Sequence, residues 1–316
     1  QDGRDVLMVP LPLFHVYGLI GVQSLSIVAR MPMLLVANPR DIKGMLNAIG
    51  HEKPSFFCTV PALLSAILNH AQVTSGKASF SSLKICFSGG APLMGETIRR
   101  YQELTGGRLI EGYFLSEAQM AAIANPIRGP NKVGSIGMPL PDVDIRIVEA
   151  EEGATEMPQG QVGEVIIRAP QRMRGYWNND AETKLVMRAG PDGQTWLYTG
   201  DLGYLDEDGY VFLVDRKKDL IKVSGYQVWP REIEEVLSTH PSVSEVGVAA
   251  VPDPTKGEVP KAWVVARAGM NAVPDELKAF CRERLAPYKV PGQIVVVPEL
   301  PKSGAGKILR RKLKEI

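Results

Sequence analysis

The chain has 316 residues, of which 45% are hydrophobic and 22% charged, and its formal net charge is +1. That length suits two or three compact units, and the balanced charge argues against a chain-wide attraction for nucleic acid or anionic lipid. No stretch has the length and apolar content of a membrane span, and the N-terminus lacks a signal-peptide pattern. Cys58, Cys86 and Cys281 lie far apart in apolar surroundings without CxxC spacing. They predict buried free thiols in a reducing, cytoplasmic compartment and no metal cluster.

Residues 6–9 form a buried-type apolar run, 18–29 have a helical pattern, and 33–37 make a second strand. Asp41 is placed to cap a helix with Ile42, Met45, Leu46 and Ile49 on one face. A strand over 55–60, a helix over 62–70 and a strand over 83–87 follow. This alternation predicts an α/β layered fold with a largely parallel sheet, whose ligands belong at the carboxyl ends of the strands. Two loops stand out there. Residues 88–92, Ser-Gly-Gly-Ala-Pro, lie between a strand and the helix of 94–104, where a tight turn is the plainer explanation. Residues 111–117, Glu-Gly-Tyr-Phe-Leu-Ser-Glu, follow Arg108-Leu109-Ile110.

Glycine and proline punctuate 134–141, after which apolar residues recur with period two at Val143, Ile145 and Ile147 and again over 163–168. That pattern predicts a small antiparallel β subdomain. Met173-Arg174-Gly175-Tyr176-Trp177-Asn178 is expected to be an aromatic packing cluster. Asp206-Glu207-Asp208-Gly209 separates two apolar runs and predicts a hairpin. Asp215-Arg216-Lys217-Lys218-Asp219 then breaks the pattern with five charges, which by spacing alone is a solvated turn. A separate α+β domain follows. It has a helix opened by Pro230, strands over 245–251 and 262–266 flanking a loop, a helix over 275–285 and a strand over 293–297. The tail, PKSGAGKILRR over 301–311, places Lys307 in a glycine loop ahead of a basic helix.

Thr199-Gly200-Asp201, the hairpin, VDRKKDLIKVSG over 214–225 and the Pro-x-Glu-Ile-Glu helix together resemble the adenylate-forming superfamily of acyl-CoA synthetases, luciferases and peptide-synthetase adenylation domains. Within it the chain looks most like long-chain fatty-acid–CoA ligases. The resemblance covers most of the chain. It implies that residues 1–141 are the remainder of a large adenylation domain, that 142–215 are the β subdomain ending at a hinge, Asp215, and that 216–316 are a mobile C-terminal domain. It further implies ATP, Mg2+ and CoA as cofactors and a fatty acid as substrate. No nucleic acid is expected, and room is left for peripheral membrane contact and a homodimer.

Carried over residue by residue, the resemblance puts Gly90, Ala91, Gly112 and Tyr113 around the adenine and Ser116 near phosphate. It makes Glu117 the magnesium ligand and sets Asp201 on the ribose hydroxyls. Arg216 falls near ribose or phosphate, and Lys307 on the charge that develops at the α-phosphate. Gly225 becomes the point where a pantetheine arm passes. His15, in the family's early HxxG motif, becomes a wall or gate of the carboxylate pocket; by its surroundings alone a hydrogen-bonded structural residue is the plainer explanation. Phe114 stands where relatives have glycine and Ser116 where they have threonine, so the acyl pocket beside Phe114 is expected to differ. The family's phosphate loop, a Ser/Thr/Gly-rich run, has no counterpart among residues 1–14, so a truncated chain that lacks the full reaction is expected. An adenylation domain serving a carrier protein, a luciferase-like oxygenase and a non-catalytic nucleotide-binding remnant remain alternatives.

Overall fold

Short apolar runs alternating with amphipathic segments build a sheet of seven strands in the first part of the chain. The computed structural model describes residues 5–303 and 307–316. In chain order come β1 (Leu7–Val9), α1 (Leu25–Val28), β2 (Met33–Leu35), α2 (Ile42–Glu52), β3 (Phe56–Thr59), α3 (Pro61–Leu68) and α4 (Ala71–Thr74). They are followed by β4 (Ile85–Gly89), α5 (Gly95–Thr105), β5 (Arg108–Leu115), β6 (Met120–Ala124) and β7 (Met138–Pro139). The strand order is β2-β1-β3-β4-β5-β6-β7. The strands from β2 to β5 in that order pair in parallel, and β6 and β7 close the edge antiparallel. This is the α/β layer that the alternation predicts. Met8, Phe57, Cys86 and Leu109 from the strands share one buried cluster with Met45 and Ile49 of α2 and Leu64 of α3. Burying a large apolar side chain of this kind stabilises a fold by about 1.5–3 kcal/mol. Asp41 caps α2 as expected, its Oδ1 accepting from the N–H of Gly44 at 2.9 Å.

The helix expected over 18–29 is not one helix. Tyr17–Ser24 winds as a π-helical turn, and only the last residues are α-helical in α1. Tertiary contact overrides the α period here. A Cβ on Gly18 would lie 2.3 Å from the carbonyl oxygen of Pro12, so the turn closes directly on backbone.

A second sheet is formed by β8 (Asp144–Val148), β9 (Gly163–Arg168), β10 (Met187–Ala189), β11 (Thr195–Leu205) and β12 (Val211–Arg216), with α6 (Asp180–Val186) ahead of β10. Its order is β10-β11-β9-β8, with β12 on β11. Trp196, fully buried beside Val148 and Ile166, lies under the guanidinium groups of Arg146 and Arg168, 5.0 and 5.1 Å from its ring.

The chain divides into two units: Gln1–Thr199 with Tyr204–Phe212, and Gly200–Gly203 with Leu213–Ile316. The second contains β13 (Ile221–Val223), β14 (Tyr226–Val228), α7 (Pro230–Ser238), β15 (Val243–Asp253), β16 (Gly257–Ala266), α8 (Pro274–Arg282), β17 (Gln293–Val296) and α9 (Arg310–Leu313). Its sheet runs β14-β13-β16-β15, with β17 parallel to β16. Ile233 and Leu237 of α7 pack with Leu277 and Cys281 of α8 on Val246 and Val264. The loop expected between 251 and 262 is mostly ladder: β15 and β16 stay paired out to Asp253 opposite Gly257. Proline brings no N–H to a ladder, yet Pro252 and Pro260 both sit within this one. Asp253 closes the turn by accepting from the N–H groups of Thr255 and Lys256, each at 2.9 Å.

All three cysteines are buried free thiols, as expected, and burial pushes the Cys58 thiol up to about 12. Among the described residues no helix is long and apolar enough to cross a membrane.

Candidate active site

The first unit brings the two candidate segments together through strand register. Gly89 at the end of β4 pairs with Gly112 of β5, so Gly90 and Ala91 leave the sheet beside Tyr113. Their loop is tied down where the backbone N–H of Leu93 donates to Glu111 Oε1 at 3.2 Å. Gly112 and Tyr113 are not in a loop, contrary to the simplest expectation. They lie inside β5, which bulges between Tyr113 and Phe114 against β6. A Cβ on Gly112 would sit 2.7 Å from the Phe87 ring and 2.8 Å from that of Phe114, so side chains already occupy that space. Phe114 stacks on Phe87 at 5.8 Å and tilts on Tyr17 at 4.6 Å. It is a packed core residue in a filled aromatic cluster.

Ser116 and Glu117 begin a short 3-10 turn at the end of β5. Ser116 is exposed and Glu117 half-buried. The hydroxyl of Tyr176 donates to Glu117 Oε1 at 2.7 Å, and the N–H of Met173 donates to the Glu117 carbonyl at 2.7 Å. The 173–178 motif is therefore not an aromatic packing cluster: Trp177 is 92% exposed, and Tyr176 serves as a hydrogen-bond donor to the carboxylate. Partial burial, with Glu117 beside it, raises the Tyr176 phenol to about 12. The sequence places Tyr176 in an aromatic packing cluster and does not show this contact, which joins positions 59 apart.

The HxxG motif forms a local turn. The N–H of His15 donates to the Pro12 carbonyl at 3.1 Å, and His15 Nδ1 accepts from the N–H of Tyr17 at 3.2 Å. In a neutral ring this acceptor role leaves the proton on Nε2.

In the second unit, Asp201 is buried, and Arg216 Nε stands 2.9 Å from its Oδ1. Asp215 is also buried. Its carboxylate accepts from the N–H groups of Arg216 (2.8 Å) and Arg231 (2.9 Å), and Arg310 Nη1 reaches it at 2.6 Å. This contrasts with the solvated turn that spacing alone suggests for 215–219. Gly225 follows Ser224 in the two-residue connection of the β13–β14 hairpin, with φ of +85° and +48° respectively. Two successive positive values define a turn that glycine and asparagine favour. Lys307 is exposed. Its carbonyl accepts from the N–H of Ser303 at 2.8 Å, and its own N–H donates to Ser303 Oγ at 3.2 Å. Residues 304–306 of the same motif lie outside the described residues.

Among the described residues no group of three or more His, Cys, Asp or Glu could hold a metal ion. Glu117 offers a lone carboxylate, a donor set that fits Mg2+, which keeps waters and shares phosphate oxygens, better than a cation needing a protein cage. Arg310 and Glu234, bound to each other at 2.8 Å, are further residues that the sequence reading overlooked. A signal was present: Glu234 shares the buried face of α7 with Pro230, Ile233 and Leu237.

Residues 1–177 match a family model described as AMP-binding enzyme, and 232–307 match one described as AMP-binding enzyme C-terminal domain. The chain is 44% identical over 315 residues to a long-chain-fatty-acid–CoA ligase of Bacillus subtilis, covering 100% of this chain and 55% of that protein. It is 39% identical to the Yersinia pestis protein of the same name, covering 100% and 54%. The chain thus spans about half the length of the curated relatives it matches. Among solved structures, ATP-bound MatB from Rhodopseudomonas palustris is 31% identical with a TM-score of 0.89, over 98% of this chain and 60% of that one. The anthranilate CoA ligase AuaEII in complex with anthranoyl-AMP is 28% identical with a TM-score of 0.90, over 100% and 60%.

Proposed function

The chain belongs to the AMP-binding enzyme family, and from that premise we propose that the protein activates a long-chain fatty acid with ATP and passes the acyl group to CoA. The observation that carries this reading is the buried Asp201 carboxylate paired with Arg216 at 2.9 Å, in a chain 44% identical to a ligase with that substrate in its name. In the first step the fatty carboxylate attacks the α-phosphorus and pyrophosphate leaves. In the second the CoA thiol attacks the acyl carbon and AMP leaves. No enzyme nucleophile is required.

Asp201 accepts hydrogen bonds from the ribose hydroxyls, a role suited to a group with acceptors and no donor. Arg216 neutralises charge near ribose or phosphate. Lys307 stabilises the charge developing as pyrophosphate departs. Gly90, Ala91, Gly112 and Tyr113 border the base, Ser116 approaches phosphate, and His15 borders the carboxylate. Glu117, held by Tyr176, would take Mg2+, which supplies charge neutralisation on the phosphates when bound. The chain turns at Asp215, so that residues 216–316 present Lys307 for the first step and the Gly225 hairpin for the second.

The test is thioester formation by the full-length protein across a series of fatty acids, with ATP and CoA. Product with long-chain acids is expected. Adenylate that is trapped by hydroxylamine, with no thioester formed on CoA, would overturn the CoA-ligase reading in favour of transfer to another acceptor.

A further inference from the structure

In the second unit a guanidinium sits among three carboxylates. Arg310, the first residue of α9, has a side chain only 17% exposed. Its Nη1 lies 2.6 Å from Asp215 Oδ1 and 3.3 Å from Asp219 Oδ2. Its Nη2 and Nε form a fork on Glu234, at 2.8 Å and 3.2 Å. Glu234 in turn accepts from the N–H of Val248 at 2.8 Å, so the fork joins β12, α7 and β15. Burial opposes charge on Arg310, but the carboxylates of Glu234 and Asp215 outweigh it and hold the group cationic.

Residues 307–309 are each tied to residues 301–303. Ile308 bridges to Lys302, the N–H of Leu309 donates to the Pro301 carbonyl at 2.8 Å, and Lys307 is bonded twice to Ser303. Leu313, fully buried with Trp263 and Ala249, secures the far side. Lys307 is therefore joined to Asp215 through the Arg310 side chain, although the two residues are far apart in sequence.

We propose that Arg310 is the positioning residue for Lys307: its side chain, forked on Glu234 and bonded through Nη1 to Asp215, ties residues 307–310 to Asp215, so that the lysine moves with the backbone at that residue. The inference rests on the adenylation role proposed for Lys307.

The experiment compares Arg310→Lys, Lys307→Ala and the double variant in the full-length protein. It measures ATP–pyrophosphate exchange and, separately, thioester formation from supplied acyl-adenylate. Misplacement of a catalytic group by about 1 Å costs up to ~100-fold in rate. Arg310→Lys should lower the exchange kcat about tenfold or more, leave KM for ATP and the thioester step nearly unchanged, and add no further loss to Lys307→Ala. Losses that multiply in the double variant, or that fall equally on both half-reactions, overturn the proposal. If Arg310→Lys does not fold, Glu234→Gln, which weakens the same fork, replaces it with the same expected pattern. Amide exchange gives a second readout: the N–H groups of Ser303 and Lys307 should exchange faster in the variant, and unchanged protection overturns the proposal. A wild type that makes no adenylate, or a Lys307→Ala variant with normal exchange, removes the proposed function itself and this inference with it. Normal exchange by Arg310→Lys alongside a defective Lys307→Ala removes only the inference.

Discussion

Arg216 Nε stands 2.9 Å from Asp201 Oδ1, and the two residues come from adjacent paired strands, β11 and β12. Asp201→Ala removes the acceptor proposed for the ribose and at once deprives Arg216 of this carboxylate. Hydrogen bonds to a charged group are worth about 1.5–3 kcal/mol, or roughly tenfold or more in affinity. A calorimetric ATP titration of the full-length variant should show that weakening. An unchanged titration would reduce Asp201 to a structural partner of Arg216.

Tyr176→Phe removes the hydroxyl that fixes Glu117 and should raise the Mg2+ concentration needed for half-maximal activity. Losing a group that orients a metal-binding carboxylate typically costs about 10–100-fold in metal affinity or activity. A Mg2+ titration that coincides with wild type would sink the positioning role.

The same residue gives a pH signature. The Tyr176 phenol is raised from 10.0 to about 12 in the folded protein. Because the folded value lies above the unfolded one, the stability it contributes is complete below pH 10 and is lost as pH rises towards 12. In a spectroscopic tyrosine titration, Tyr176→Phe should delete a phenol that titrates late. Loss of one titrating near the ordinary value would contradict the geometry.

Asp215→Pro, which would fix the backbone of the proposed hinge, also deletes the carboxylate that Arg310 and two backbone N–H groups use. Removing one partner of a buried ion pair costs on the order of 3–5 kcal/mol. Asp215→Ala should therefore destabilise the second unit by about that amount, seen as a lower denaturation midpoint. A midpoint equal to wild type would show that the fork does not depend on Asp215.

At Gly225 the φ of +85° matters more than space, since no atom lies within 4 Å of where a Cβ would stand. Left-handed backbone costs an ordinary side chain about 1–2 kcal/mol, whereas asparagine tolerates it. Gly225→Asn should keep the melting temperature close to wild type and Gly225→Leu should lower it. If the pantetheine arm passes here, thioester formation by Gly225→Leu falls by more than its stability loss explains. Equal behaviour of both variants in that step would remove Gly225 from the path.

The α/β alternation, the β hairpin, the cap at Asp41 and the family were all legible in the sequence by itself, because each rests on local periodicity or on motifs read along the chain. Motif reading also singled out Asp201 and Arg216, which the fold pairs at 2.9 Å. Tertiary structure alone decided the partners. Tyr176 reaches Glu117 across 59 positions, and Arg310 reaches Asp215 across 95. Spacing carries no trace of such contacts, since burial of a charge becomes favourable only where a distant side chain arrives to neutralise it. For the same reason 215–219 resembles a solvated turn until Arg310 is in place. Residues 18–24 likewise keep an α pattern in sequence, yet the chain there winds as a π turn, with Tyr17 and Val22 packed in one cluster with Cys58 and Phe114.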